Sequence, residues 1–407
     1  MVIQTADEFQ YLQTRMKFEP HLYFEVLSDP HYHWIENSTL CVGVRFNTDI
    51  YVVSVTHRDA PQFSIEMTDK SIGIREANAV KYETFETICD PSSLYTPYIR
   101  NIHSSLYPKE NLNAIIPLST WSIVIKRVLG CLSLERPNQY HTKMIRVLSG
   151  IERSGLSVNR EAMEEYFDKS VFRTFRNGLV YSEYNPYTKT GRPSNRFGGI
   201  NYSALNKTDG TRTVFNSRHR NGKLVQMDFQ AYHLYLIADR LGIDLTKNTS
   251  LHHELAKVYF QTDTVSSEEY DAGKKRTFEI LYGQTNEDYG IELFKQIHSF
   301  RRQLNGTSVR LPDGRTVDIG VSNPSKLFNY YVQSLETVKT IPKLGNVLEI
   351  IKDTGTHLTL YTYDSILLDM PEVDDGLLKK VKTELTSGGR FPLRTYVGDT
   401  YHDMIEV

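Results

Sequence analysis

Two aspartates, Asp228 and Asp364, each follow an apolar run that predicts a β-strand, Lys223-Leu-Val-Gln-Met and His357-Leu-Thr-Leu-Tyr. If these strands adjoin, both carboxylates lie at one rim of a sheet. A carboxylate pair can hold two divalent cations, which activate a hydroxyl and neutralise a triphosphate in nucleotidyl transfer. Taken singly, Asp228 also fits a helix N-cap and Asp364 a turn former. The two acids together indicate metal-dependent phosphate chemistry.

A cation and two aromatic rings share one predicted helix face. Lys274, Phe278 and Tyr282 recur at i, i+4 and i+8, which corresponds to roughly 12 Å along a helix. A nucleoside triphosphate has the same linear order of charge, sugar and base, so this face suits binding one along its length. Ordinary helix packing is the alternative for both rings.

Residues 169–223 carry a net charge of +9 in a chain whose overall formal charge is −2. Aromatic residues are interleaved with these basic ones, which suits a surface that follows phosphates and stacks on bases. A solvated basic loop is the alternative.

Composition limits the class of protein. The chain has 407 residues, 40% of them hydrophobic and 24% charged, enough for two or three folded domains. The most apolar stretch, 113–132, contains Lys126 and Arg127, so we expect no membrane span. The N-terminus shows no secretory leader, and Cys41, Cys89 and Cys131 are widely spaced. Reduced thiols and a cytoplasmic location are therefore expected.

Periodicity predicts the elements that position these residues. A small sheet is expected from runs at 22–26, 40–46 and 50–55, followed by helices, one of them with Asn159 as its N-cap. Further along we predict a strand at 223–229 that leads into a helix at Tyr232, helices at 250–260 and 268–282, a turn-rich stretch at 304–324, a hairpin with an Asp364-Ser365 turn, and a strand at 392–398.

Four segments together resemble the motifs of family A DNA polymerases: Thr190-Gly-Arg-Pro-Ser, Gln226-Met-Asp-Phe, Lys274-Lys-Arg-Thr-Phe-Glu-Ile-Leu-Tyr-Gly and Thr362-Tyr-Asp-Ser-Ile. The resemblance runs from about residue 143 to the C-terminus. It implies an α+β right-hand polymerase fold, with an antiparallel palm sheet, helical fingers and a reduced thumb, preceded by an N-terminal α/β exonuclease-like remnant. The implied domains are 1–112 (degenerate exonuclease-like), 113–180 (helical linker and truncated thumb), 181–240 (first part of the palm), 241–345 (fingers) and 346–407 (second part of the palm).

The resemblance also assigns roles. Asp228, Asp364 and the backbone carbonyl of Phe229 would hold two Mg²⁺, and Lys274 would contact the triphosphate and protonate the leaving pyrophosphate. The remaining nucleotide contacts would come from Tyr282 beside the nascent base pair, Phe278 as the position associated with rejection of dideoxynucleotides, His252 near the triphosphate, and His233 where a glutamate usually screens the sugar 2′ position. A surface location is the alternative for His252.

Contacts to primer-template DNA are implied for Arg192, Arg212, Asn329, Gln333 and Tyr363. A buried helix amide is the alternative for Asn329 and Gln333. Tyr270 occupies the position of the usual motif B arginine, so one phosphate contact is missing unless Lys275 or Arg276 substitutes.

Two departures from the family concern whole domains. The chain reaches Thr190-Gly-Arg about 40 residues after the start of the thumb-like segment at Gly150, which implies weak template retention or a protein partner that supplies the grip. An exonuclease needs an Asp-x-Glu pair, but Phe24 and Val26 occupy the candidate positions, and Glu25 points to the opposite strand face. We therefore expect no 3′–5′ proofreading.

The sequence thus predicts a compact DNA-directed DNA polymerase of bacteriophage type that adds dNTPs to a primer 3′ end in the host cytoplasm. A single-subunit RNA polymerase is the enzymatic alternative, because the Asp364-Ser365 pair and the Lys274-x7-Tyr-Gly spacing also occur there. A catalytically reduced DNA-binding subunit of a replisome is the non-enzymatic one.

Overall fold

The computed structural model describes residues 1–18, 22–28, 39–46, 48–57, 59–63, 71–73, 86–87, 117–119, 122–123, 126, 129, 139–168, 175–182, 184, 188–194, 200–245, 250–283 and 285–407. The chain divides into two compact units. The first comprises Met1–Arg153 and Asp168–Arg176, and the second comprises Ser154–Phe167 and Asn177–Val407. Among these described residues, no helix is both long and apolar enough to cross a bilayer.

The first unit contains a five-stranded sheet, here called the N-terminal sheet. Its strands run in the spatial order β3-β2-β1-β4-β5 and are β1 (Leu22–Ser28), β2 (Thr39–Phe46), β3 (Asp49–Ser54), β4 (Ser71–Gly73) and β5 (Glu86–Thr87). Strands β1 to β3 are antiparallel, whereas β4 is parallel to β1 and β5 is parallel to β4. Helix α1 (Ala6–Phe18) buries Leu12 and Met16 in one core with Val42, Val44 and Phe46. The unit also holds most of α2 (Gln139–Ser154), and β7 (Phe175–Arg176).

The second unit contains a five-stranded antiparallel sheet, here called the acid-bearing sheet. Its spatial order is β13-β14-β10-β15-β16, with β10 (Lys223–Phe229), β13 (His357–Tyr361), β14 (Ser365–Met370), β15 (Leu393–Gly398) and β16 (Ile405–Glu406). Strand β10 is central and β14 is buried along its whole length. Because both faces are covered, these strands read as nearly continuous apolar runs, which is why the sequence shows them clearly.

Helices make up most of the rest of the second unit. They are α3 (Arg160–Tyr166), α4 (Tyr232–Leu241), α5 (Leu251–Phe260), α6 (Ser267–Leu281), α7 (Glu292–Gln303), α8 (Pro324–Ile350) and α9 (Asp375–Thr386). Short strands join them, namely β6 (Leu156–Val158), β8 (Leu179–Val180), β9 (Phe215–Asn216), β11 (Ser308–Arg310) and β12 (Thr316–Asp318), with two 3₁₀ turns at Tyr202–Ala204 and Thr211–Val214.

Side-chain N-caps lie at the start of two of these helices, where the sequence predicts that the helices begin. The Asn159 side chain accepts a hydrogen bond from the Ala162 N–H at 3.2 Å, so it is the N-cap of α3. At α6, Ser266 and Glu269 form a reciprocal capping box, with N···O distances of 3.2 and 2.9 Å. Such caps satisfy backbone donors that have no partner inside the helix.

Where the described residues cover them, the predicted strands and helices are confirmed to within a few residues, with two corrections. Most of the segment 113–138, for which the sequence predicts helices, lies outside the described residues. The stretch 304–324 contains the β11–β12 hairpin, which its turn residues concealed. The turn before β14 comprises Thr362–Asp364, because Ser365 is already in the sheet and accepts a hydrogen bond from Gln226 Nε2 at 2.9 Å. Cys41 is buried in β2, while Cys89 and Cys131 lie outside the described residues. The predicted domain boundaries stay a prediction.

Candidate active site

The two aspartates meet at one end of neighbouring strands. Asp228 is the penultimate residue of β10, and its register partner on β14 is Ser365, the residue after Asp364. The Phe229 N–H donates to the Asp364 carbonyl oxygen at 2.8 Å, which fixes the turn against the end of β10. Asp228 is not a helix cap, because α4 has Ala231 at its N-cap position. The alternative interpretation of Asp228 is therefore wrong.

Both aspartates have raised pKa values, as expected for carboxyl groups that are held close together and partly buried. Burial raises the pKa of Asp228 to about 6, and the negative charge of Asp364 adds to the effect. The pKa of Asp364 is also raised, first because protein atoms surround its carboxyl and second because Glu336 is negative, although the side chain remains accessible to solvent. A divalent cation would relieve both penalties.

The donors present fit a hard cation such as Mg²⁺, which binds through one or two carboxylates and completes its shell with water and phosphate oxygens. Across the described residues, no group of three or more His, Cys, Asp and Glu side chains could hold a metal ion. Two carboxylates alone would therefore provide the side-chain ligands. The carbonyl of Phe229 as a third protein ligand stays a prediction.

The backbone on both sides of the acid pair is in an unusual conformation. Ala231 has φ 49° and Tyr363 has φ 77°, the left-handed region that non-glycine residues rarely adopt. Each such residue costs on the order of 1–2 kcal/mol, so surrounding contacts must hold it. One of these contacts is the hydrogen bond from the Gln230 N–H to the Pro392 carbonyl at 2.9 Å.

The predicted cation and rings lie along α6 and its C-cap. The rings of Phe278 and Tyr282 stack with centroids 6.0 Å apart, and Lys274 lies one turn before Phe278 with its side chain exposed. An open depression of about 370 Å³ borders Lys274, Lys275 and Phe278. The positive charge of Lys274 lowers the pKa of Asp228, so this lysine lies within electrostatic range of that carboxyl.

Lys275 borders the same depression, and its side chain is exposed. Arg276 is directed elsewhere, because its guanidinium carbon lies 5.7 Å from the Phe260 ring centroid and 5.6 Å from that of Tyr289. Substitution of the usual motif B arginine by Lys275 or Arg276 stays a prediction.

Gly283 ends the helix immediately after Tyr282. Its φ of 78° is favourable for glycine, and a Cβ at this position would overlap Ser325 Oγ and Arg301 Nη1. The Tyr-Gly pair thus has a local cause, since the chain must turn away beside a packed helix.

His252 is buried, so the surface alternative is wrong. Its ring packs edge-on against Phe278 at 5.7 Å and against Tyr270 at 6.4 Å. Burial lowers the pKa of His252 to about 4, and the charge of Lys274 adds to the shift. The imidazole is therefore neutral at pH 7, and it can offer a hydrogen bond to a nucleotide but no positive charge.

His233, the predicted sugar-side residue, joins Tyr282 to an acid that the sequence did not reveal. His233 Nδ1 lies 2.8 Å from Tyr282 Oη, and His233 Nε2 lies 3.1 Å from Glu336 Oε2. Glu336 is fully buried in α8. Its position three residues after Gln333, inside the run Ser-Leu-Glu-Thr, was the available signal.

Arg192 approaches the same carboxylate from the other side. Its Nε lies 2.8 Å from Glu336 Oε2, and its Nη2 donates to Glu336 Oε1 at 3.2 Å. The guanidinium carbon also lies 3.7 Å from the centroid of the Tyr363 ring. Arg192 is thus part of an ion pair within the protein, and the predicted DNA contact stays a prediction.

The other predicted DNA contacts lie around this centre. Arg212 is buried, donates twice to the Leu205 carbonyl at 3.0 and 3.3 Å, and lies over the Tyr401 ring at 4.4 Å. Asn329 and Gln333 are half-buried on α8, and Asn329 Oδ1 has no hydrogen-bond partner among the described residues. None of these contacts tests the predicted roles of Arg212, Asn329 and Gln333 in DNA binding, which stay predictions.

Arg394 is a further cation that the sequence did not suggest. It is the register partner of Asp228 on β15, with 41% of its side chain exposed, and its charge lowers the pKa of Asp228. In antiparallel pairs, directly opposed side chains lie on the same sheet face. Its placement could be found only by pairing β15 with β10.

No protein-family model matches the chain, and no curated protein sequence matches it. Among solved structures, it is similar to the POL domain of Pol1 from M. smegmatis, described in complex with DNA primer-template and dNTP. The TM-score is 0.68 at 11% sequence identity, and the alignment covers 98% of this chain and 99% of that chain. The chain therefore has a polymerase-domain fold, which confirms the predicted fold class at that level.

Proposed function

We propose that this chain is a DNA-directed DNA polymerase of family A type that adds dNTPs to a primer 3′ end by two-metal nucleotidyl transfer. The observation that carries the proposal is the meeting of Asp228 and Asp364 at one sheet rim, with Lys274 close enough to change the pKa of Asp228. The polymerase-domain fold supports the same conclusion. Primer-template DNA and dNTPs are the proposed partners.

In this proposal, two Mg²⁺ would be held by Asp228 and Asp364, with the carbonyl of Phe229 as an additional ligand. When bound, they would lower the pKa of the primer hydroxyl and neutralise the triphosphate. Lys274 would bind the triphosphate and provide a proton to the leaving pyrophosphate. The uncharged imidazole of His252 would donate a hydrogen bond to the triphosphate. Phe278 and Tyr282 would stack beside the sugar and base.

The remaining assignments are coarser. Arg192, Arg212, Asn329, Gln333 and Tyr363 would bind primer-template DNA. Residues 1–112 would be an exonuclease-like remnant without proofreading, and the shortened thumb would be replaced by a processivity partner or leave processivity low. A bacteriophage enzyme working in the cytoplasm of its host is the setting that we propose.

The proposal is tested by Mg²⁺-dependent extension of a labelled primer on a DNA template. Wild type should incorporate dNTPs in preference to rNTPs, leave a mismatched 3′ end untrimmed, and lose activity on addition of EDTA. Asp364→Asn should abolish extension while its thermal unfolding midpoint stays near that of wild type. Equal extension by wild type and this variant would reject the metal-ligand assignment, and a preference for rNTPs would favour the RNA polymerase alternative.

A further inference from the structure

A single buried carboxylate touches both sides of the candidate active site. Glu336 is fully excluded from solvent in the middle of α8, where an unpaired charge would be strongly destabilising. Burial alone would raise its pKa, but Arg192 and His233 outweigh it, and the pKa of Glu336 is lowered below its ordinary value. The carboxylate is therefore charged in the folded chain and depends on two partners from distant segments.

The partner on one side leads to α6. A carboxylate only accepts hydrogen bonds, so His233 Nε2 must donate to Glu336. In the neutral imidazole, Nδ1 is then the acceptor, and the Tyr282 hydroxyl donates to it across 2.8 Å. Glu336 thereby selects the tautomer of His233 and fixes the direction of the Tyr282 hydroxyl, whose ring stacks on Phe278.

The partner on the other side leads to the turn that carries Asp364. Arg192 contacts both oxygens of Glu336, and its guanidinium carbon lies 3.7 Å from the ring centroid of Tyr363, whose backbone is held at φ 77°. The cation–π contact and the ion pair together fix this strained residue. Tyr363 directly precedes Asp364, so the ion pair also bears on the position of one proposed metal ligand.

We propose that Glu336 is a positioning residue that sets both the nucleotide side of the site, through His233 and Tyr282, and the primer side, through Arg192 and Tyr363. This inference rests on the proposed polymerase function. If it is right, removal of one carboxylate would weaken both dNTP binding and primer-template binding, although the other contacts of these two ligands are separate.

The test uses Glu336→Gln, which keeps the shape of the side chain and removes its charge. The KM for dNTP and the Kd for primer-template should each rise by roughly tenfold, since this is the usual effect of losing one oriented contact in each binding event. Glu349→Gln is the matched control, because Glu349 is an exposed glutamate on the same helix and should change neither constant.

Two further variants separate positioning from general destabilisation. His233→Gln interrupts the nucleotide side and should raise the KM for dNTP while the Kd for primer-template stays within twofold. Arg192→Gln interrupts the primer side and should give the reverse pattern. His233 and Arg192 are themselves proposed contacts, so this split shows only that the two sides are separate. If Glu336→Gln fails to fold, Glu336→Asp takes its place, since it keeps the charge, shortens the side chain and should still raise both constants. An unchanged KM or Kd in Glu336→Asp would overturn the inference.

Three other outcomes would also overturn the inference. In Glu336→Gln both constants could stay within twofold of those of Glu349→Gln, only one of them could rise, or the two single variants could lack the split. Absence of extension by wild-type protein would instead contradict the proposed function, so the two failures are distinguishable.

Discussion

The N-terminal sheet and the acid-bearing sheet are both five-stranded, and they differ in where their acidic residues fall. Glu25 lies in the middle of β1 with Gly43 as its register partner, and Asp49 at the start of β3 pairs with Arg15 at 2.8 Å. Asp228 and Asp364 instead lie at the same end of adjoining strands, where the charge of one raises the pKa of the other. Strand register, rather than the number of strands, thus creates a candidate metal site.

Asp228→Asn removes one of the two paired acids and should have the largest effect on activity. Mg²⁺-dependent primer extension should fall by on the order of 10³-fold, because a ligand that anchors the ions contributes several kcal/mol to transition-state stabilisation. Glu25→Gln in the N-terminal sheet is the control and should extend primers like wild type. The unfolding midpoint of Asp228→Asn should not fall, since the substitution removes a charge repelled by Asp364. Undiminished extension by Asp228→Asn would remove the functional distinction between the sheets.

Lys274→Met tests the contribution of α6 to the same site, and its expected effect is smaller. The catalytic efficiency kcat/KM for dNTP should fall by about 10²-fold, the usual loss when one group that stabilises a developing charge is removed. Lys295→Met is a suitable control, because Lys295 is an exposed lysine on the neighbouring helix α7. Steady-state kinetics on one primer-template would measure both. Equal losses in the two variants would show that net charge, rather than the position of Lys274, matters.

A difference in acid sensitivity is the smallest expected effect and belongs to the second unit. His252 has a pKa of about 4 in the folded chain against 6.5 when exposed, so between these values the unfolded chain binds the proton and the folded chain does not. The free energy of unfolding should therefore fall on going from pH 7 to pH 5, by on the order of 2 kcal/mol from this group.

Asp228 acts with the opposite sign. Its pKa is raised to about 6 in the folded chain, so its contribution to stability increases as the pH falls. The difference between wild type and His252→Gln therefore isolates the histidine. Urea unfolding of both proteins at pH 5 and pH 7 measures it, and a loss of the same size in both would contradict the burial of a neutral His252.

Much of this architecture could be predicted from the sequence, because the elements that position the acids are strongly patterned. Strands β10 and β14 are buried apolar runs, and α6 begins with a capping box at Ser266 and Glu269. The stacking of Phe278 on Tyr282 follows from their helical spacing.

What could not be predicted depends on contacts between distant segments. Glu336 and Arg192 are 144 positions apart and Glu336 and His233 are 103 apart, and no local pattern joins them. Arg394 becomes visible beside Asp228 only when β15 is paired with β10. The β11–β12 hairpin was missed because each strand has three residues, too few to show alternation.

The shared carboxylate on α8 has a consequence for evolutionary change. Because Arg192 and His233 both depend on Glu336, a substitution that neutralises position 336 leaves a cation without its partner and a histidine without a fixed tautomer. In related chains, these three positions should therefore vary as a correlated set. A lineage that places an acid directly at position 233 would free position 336 to become apolar.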